Sequence, residues 1–201
     1  MTDTEKPIVC VVEGRGDEES IPIILRRLAE EQGVYTLKIH HPFRVQRTRL
    51  VRPGELERTV EAAARKLGGH GGIVIVLDAD DDLVCELGPS LLQRATSARP
   101  DVPCISVLAN REKEAWFLAS IRSLAGKRGI PEDVSAIDDV EQIRGAKEVL
   151  SKLMGRRFSE VIDQAKMSAQ FDLKQARKGS VSFRKLSRDF TRLLGEIPTS
   201  D

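Results

Sequence analysis

The segment "GIVIVLDADDD" at 72–82 constrains this chain more than any other. Five consecutive apolar residues, most of them β-branched, leave no polar face. Both sides of such a strand must be covered, as in the middle of a parallel sheet. The strand then runs into Asp78, Asp80, Asp81 and Asp82. Carboxylates this close raise one another's pKa unless something compensates them. The strand end therefore demands a counter-charge.

Other segments supply the rest of a sheet. "PIVCVV" (7–12) is a short β-branched run closed by "EGRG", and "VPCISVLA" (102–109) is another. "VYTLKIH" (34–40) alternates in the manner of an edge strand. Between them lie amphipathic stretches with helix signals: "SIPIILRRLAEEQG", with Ser20 as N-cap and Gly33 as stop, "GELERTVEAAARKLGG", "PSLLQRATSAR" opened by Pro89, and "REKEAWFLASIRSLAG". Strand and helix alternate up to about residue 126, which predicts an α/β domain with a mainly parallel sheet of four strands in the order 2-1-3-4, with helices on both faces. Beyond Pro131 only helical patterns remain, three in succession, the last beginning with a Ser cap. We expect an α/β domain over 1–129 and a C-terminal helical extension over 130–201 packed on it.

Composition narrows the setting. No apolar stretch is long enough for a membrane span, and "MTDTEKP" lacks the apolar segment of a secretory signal, so a cytoplasmic location without a membrane partner is expected. Cys10, Cys85 and Cys104 have no paired spacing and are expected to be small packed residues. The net charge of +1 hides a segregated pattern. From Arg144 to Arg192 there are thirteen Lys or Arg against five acids, and Arg44, Arg47, Arg49 and Arg52 form a second basic run, whereas acids crowd the strand ends. Such a pattern suits an acidic, metal-filled site that also approaches a polyanion.

In open parallel sheets, ligands gather beyond the C-terminal ends of the strands. Glu13 follows the first strand, Asp78 and Asp80 the third, and Glu112 the fourth. Alternation along an extended strand end puts Asp78 and Asp80 on one side. Asp17 returns to the same mouth through the "EGRGDE" turn, where Gly14 and Gly16 would let a phosphate approach the main chain. On the helix read from "REKEAWFLASIRSLAG", Glu112 shares a face with Trp116 and points inward, while Glu114 points away. A hard divalent ion, Mg2+ or Mn2+, is the compensation that fits an all-oxygen set of this kind.

"VVEGRGDEE" followed by "VLDADDD" resembles the Toprim domain, the metal-binding unit of topoisomerases, primases and overcoming-lysogenization-defect (OLD) nucleases. With "REKEAWFLA", "DQAKMSAQFDLKQAR" and "SVSFRKL", the chain is similar, over nearly its whole length, to the Toprim-like domain-of-unknown-function family four-two-seven-six. The resemblance implies a Toprim-like Rossmannoid fold. It implies Glu13 as metal ligand or general base, and Asp78 and Asp80 as metal ligands. Asp17 takes a place where OLD-like nucleases carry Glu, and Asp82 and Glu112 are candidates for a second ion. One or two Mg2+ or Mn2+ ions are expected, with Lys113 or Lys166 stabilising developing negative charge and Arg47 and Arg49 contacting nucleic acid.

The function these residues imply is Mg2+-dependent phosphodiester cleavage, by a nuclease acting on DNA. The only tyrosine, Tyr35, begins the second strand and is poorly placed as a topoisomerase nucleophile. The alternative is a non-catalytic or regulatory partner of an ATPase in a bacterial-type defence system. The ATPase would be another chain, since no GxxxxGK[ST] motif is present. A receiver-type phosphoacceptor is a third possibility, disfavoured by the EGxxD turn and "EAWF". The oligomeric state stays open, a homodimer included.

Overall fold

In the computed structural model, which describes residues 5–197, the sheet is built around β1 (Lys6–Val12), buried along nearly all its length. After β1 the chain turns into α1 (Asp17–Glu30), then forms β2 (Leu37–Ile39) and β3 (Phe43–Arg44). A short helix α2 (Arg47–Leu50) and the longer α3 (Glu55–Leu67) lead to β4 (Gly72–Asp78). Next come α4 (Val84–Ala98), β5 (Cys104–Ala109) and a single helical turn, α5 (Ala115–Leu118).

Among the described residues every strand pairing is parallel, in the order β2-β1-β4-β5 with β3 also on β1. The α/β architecture with a parallel, Rossmann-like sheet stands. The expected strand count does not, because the sheet has five strands. β2 is shorter than the run read from 34–40, with Tyr35 left 75% exposed, and after a break at 40–42 the chain continues along the same edge of β1 as β3, beside Val11 and Val12. That continuation brings the arginines after residue 43 to the C-terminal end of β1.

Alternation sorts the strand residues onto two cores. Ile8, Cys10, Val12, Val74, Val76, Ile105 and Val107 face one core, covered by α1 and the C-terminal helices. Val9, Val11, Ile73, Ile75 and Leu77 face the other, covered by α3 and α4. A fully buried large apolar side chain stabilises by roughly 1.5–3 kcal/mol relative to exposure, so a register slip of one residue would be ruinous.

The C-terminal block contains α6 (Ala146–Leu153), a wide π turn at Glu160–Gln164 running into α7 (Ala165–Ser168), α8 (Leu173–Gly179) and α9 (Val181–Glu196). It joins the first core rather than standing apart. Trp116 donates its indole N–H to Ser182 Oγ at 2.9 Å and meets Phe183 edge to face, with ring centroids 5.4 Å apart. Phe171 packs edge on against both Phe117 and Phe183. The aromatic motif after β5 and the C-terminal motif are thus two halves of one contact.

Several helix limits differ from the sequence reading. α1 starts at Asp17, so Ser20 lies inside the helix and is buried, not an N-cap. Asp17, Glu18 and Glu19 occupy the first turn, where the helix dipole favours negative charge. Pro89 lies inside α4 rather than opening it. The long helix expected over 111–126 is only α5 followed by a 3-10 turn at Ile121–Leu124. Cys85 is exposed, whereas Cys10 and Cys104 are buried, with burial pushing both thiols up to about 12. Among the described residues no helix is long and apolar enough to cross a membrane.

Candidate functional site

Beyond the C-terminal ends of β1 and β4 lies a cleft of about 210 Å3 lined by Glu13, Gly14, Asp17, Asp78, Asp80, Lys113, Glu114, Lys147, Glu160 and Gln164. Six of these are acids and two are lysines. Parallel strands ending side by side bring Glu13 and Asp78 here, and the turn after β1 folds Asp17 back over them. In that turn the Gly14 amide donates to Asp17 Oδ2 at 2.8 Å, while Gln164 Nε2 donates to Asp17 Oδ1 at 2.9 Å. Gly16 is needed for a different reason from phosphate approach. A Cβ there would overlap Gln164 Oε1 and the Glu160 carbonyl, so glycine lets the π turn close over the helix start.

The counter-charge at the centre is Lys113. Its side chain is buried, with Nζ 2.7 Å from Asp78 Oδ1 and 3.4 Å from Asp17 Oδ2. Its main-chain amide also donates to Asp78 Oδ1, at 2.8 Å. Burial disfavours the ammonium, but Asp78, Asp17 and Glu114 outweigh it and hold the Lys113 pKa above the usual lysine range. Lys113 is thus engaged by two aspartates within the fold. Asp78 is pushed up by burial, with the Lys113 charge opposing. Glu13 is pushed up by burial as well, against the Arg47 amide, which donates to Oε1 at 3.3 Å, and the Lys113 charge.

The acids after β4 separate. Asp80 has φ of 50°, in the left-handed region, so extended alternation ends at Ala79 and Asp80 does not simply repeat the direction of Asp78. Asp80 still lines the cleft, with Arg47 Nη1 3.4 Å from its Oδ2. Asp82 lies outside the cleft lining, half exposed and paired with the same Arg47 guanidinium. Asp81 pairs with Arg144 at 2.8 Å and Arg111 at 3.3 Å.

The inward acid after β5 is Glu114, not Glu112. α5 begins only at Ala115, Arg111 has φ of 63°, and the turn before α5 is closed by three-residue steps (the Ala115 amide to Glu112 O, the Trp116 amide to Lys113 O), so the four-residue spacing of an α-helix does not apply from Glu112. Glu112 is partly exposed and accepts from the Lys147 amide at 3.3 Å. Glu114 is 1% exposed, and its Oε2 is buried with no hydrogen-bond partner. Burial, then the Asp78 charge, push its pKa up to about 8 against Lys147 and Lys113. Lys147 Nζ lies 2.7 Å from Glu160 and 3.9 Å from Glu114.

Sequence reasoning missed Glu114, Lys147, Glu160 and Gln164. Only the resemblance of "DQAKMSAQFDLKQAR" pointed to the segment that holds Gln164. Lys166, on α7, is exposed and outside the cleft, and Arg49 lies in a neighbouring cleft and pairs with Glu55 at 2.7 Å. Among the described residues no three of His, Cys, Asp or Glu are grouped so as to hold an ion.

The fold and the site define an α/β protein with an acidic cleft at the strand ends of a parallel sheet. The family model described as "Domain of unknown function (DUF4276)" matches residues 12–190, and the chain belongs to that family. No curated protein matches the sequence. A solved structure, the C-terminal region of the Burkholderia pseudomallei OLD protein, is similar over 92% of this chain and 96% of its own, at 15% identity and a TM-score of 0.41. A likeness so distant transfers no residue's role.

Proposed function

We propose that the acidic cleft binds one or two divalent ions, Mg2+ or Mn2+, and that the chain cleaves phosphodiester bonds, with DNA as the substrate. The observation that carries this is the crowding of six carboxyl groups in one cleft whose lining has only two ammonium groups, with Glu114 held neutral near pH 7 and Asp80 also facing Arg47. All the acidic donors are hard oxygens, and Glu114 Oε2 is a buried acceptor without a partner. Mg2+ keeps several waters and needs only one or two carboxylates from the protein, so it does not require a complete cage of side chains. Asp78 and Asp80 would hold it, with waters filling the remaining positions and Glu13 left as the base.

When bound, the ion would polarise the phosphate and lower the pKa of water. The chain supplies the rest. Lys113 and Gln164 keep Asp78 and Asp17 oriented, and the Arg47 amide holds Glu13. Glu13, with its proton affinity raised by burial, accepts a proton from the attacking water. The water oxygen bonds to phosphorus, the bond to one sugar oxygen breaks, and that oxygen takes a proton from solvent water as it leaves, after which Glu13 returns its proton to solvent.

Purified protein should cut labelled plasmid and linear DNA in Mg2+ or Mn2+. Glu13→Gln should slow this by about 10²–10⁴-fold, as expected on removal of a general base, and Asp78→Asn should weaken Mn2+ binding by calorimetry. Equal cleavage by wild type and variants would assign the activity to a contaminant and sink the reading. One observation favours the second reading, a regulatory partner of a separate ATPase: the Lys113 ammonium already neutralises Asp78 and Asp17. Absence of Mn2+ heat together with co-purification of an ATPase would select it.

A further inference from the structure

Three clefts run side by side and share lining residues. The acidic cleft meets a second, of about 420 Å3, at Glu13. It meets a third, of about 890 Å3, at Lys147 and Glu160. The shared residues set the three clefts next to one another, with the crowded carboxylates in the middle one.

The outer clefts carry the opposite sign. Arg15, Arg44 and Arg49 line one, against the single carboxylate of Glu13. Lys147, Lys152 and Arg157 line the other, against Glu148 and Glu160. Arg15, Lys152 and Arg157 are exposed, and among the described residues none of the three has an ion-pair partner. A cation without an internal partner can take a phosphate with no salt bridge to break. Val161, 55% exposed on the π turn, adds an apolar surface to the third cleft.

We propose that this path binds one polynucleotide strand along its length, with phosphates on either side of the carboxylates held by the two outer clefts. The inference rests on the middle cleft as the place of cleavage, and it adds the substrate class: a single strand gripped on both sides of the bond that breaks. A strand so held needs no free end, so circular single-stranded DNA is a substrate.

The test is fluorescence anisotropy with labelled oligothymidylate and oligouridylate in EDTA, where cleavage cannot occur. Arg15→Ser with Arg49→Ser, and separately Lys152→Ser with Arg157→Ser, should each weaken binding about tenfold or more. Each should also flatten the dependence of log K on log salt by about 0.7 for every phosphate the variant no longer holds. Lys174→Ser, exposed on α8 and outside all three clefts, should bind as wild type does. A purely structural role would shift the unfolding midpoint without changing the salt slope. Binding of either probe supports the path, and the tighter one names the nucleic acid. Failure of both probes to bind wild type, or one double variant that binds like wild type with an unchanged salt slope, overturns it. Normal binding in EDTA without cleavage in Mg2+ or Mn2+ would instead remove the cleavage reading and leave the path standing.

Discussion

Asp78, 15% exposed, and Asp163, fully buried, are treated in opposite ways. Asp163, fully buried within the π turn, receives Arg128 at 2.6 Å, two bonds from Arg156 at 2.7 Å and the Ser159 amide at 2.9 Å. Burial raises its pKa, but those hydrogen bonds outweigh burial and hold the carboxyl below the ordinary aspartate range. Asp78 has one lysine, which it shares with Asp17, and several other acids nearby, so burial wins and its pKa rises. An overcompensated carboxylate fastens the scaffold. An undercompensated group of them leaves room for a cation. The two are linked, because the turn that Asp163 anchors carries Gln164, which holds Asp17.

The largest effect should come from Lys113→Met. Removing one partner of a buried ion pair costs about 3–5 kcal/mol, and here two aspartates lose their ammonium. Urea unfolding in EDTA should show the loss, and Mn2+ should restore part of it. No recovery with Mn2+ would count against a cation site. Asp163→Asn should cost about 3 kcal/mol, at the low end of that range because Arg156 can turn to solvent, and Mn2+ should restore none of it. Equal rescue of both variants would erase the distinction between the two aspartates.

Gly16→Ala should cost about 1–3 kcal/mol, as overpacking usually does, because the added methyl collides with Gln164 and the Glu160 carbonyl. Breaking the hydrogen bond from Gln164 to Asp17 should lower Mn2+ affinity in the same calorimetric assay. A Gly16→Ala protein with unchanged stability would show that the π turn can give way.

The smallest effects are in pH dependence, and they have opposite signs. Glu114, raised from 4.5 to about 8, binds its proton more tightly when folded. Its contribution is complete below its ordinary value and is lost as pH rises through about 8. Unfolding free energy should therefore fall by on the order of 1–2 kcal/mol between about pH 6 and pH 9, and Glu114→Gln should remove most of that slope. Asp163 is held below its ordinary 3.8, so its contribution is present above that value and is lost as pH falls toward its folded pKa. An Asp163→Asn protein should show a shallower acid limb.

The strands and the gathering of acids at their ends were legible because both follow from local patterning: "VCVV" and "IVIVL" admit only a covered strand, and parallel strands end together. Glu112 and Glu114 were exchanged because the inward direction was read from helical spacing, while Arg111 bends that stretch into a turn of another geometry. Lys113 was assigned to substrate because its partners, Asp17 and Asp78, come from other strand ends and nothing local to "REKEAW" shows them.

By itself the sequence determined a parallel α/β sheet with too many carboxylates at one edge, since hydrophobic periodicity and charge are properties of neighbours along the chain. Only the tertiary structure decided which acids are satisfied and which are left over. That choice depends on contacts such as Gln164 to Asp17, 147 residues apart, which arise only when the C-terminal block closes over the turn after β1.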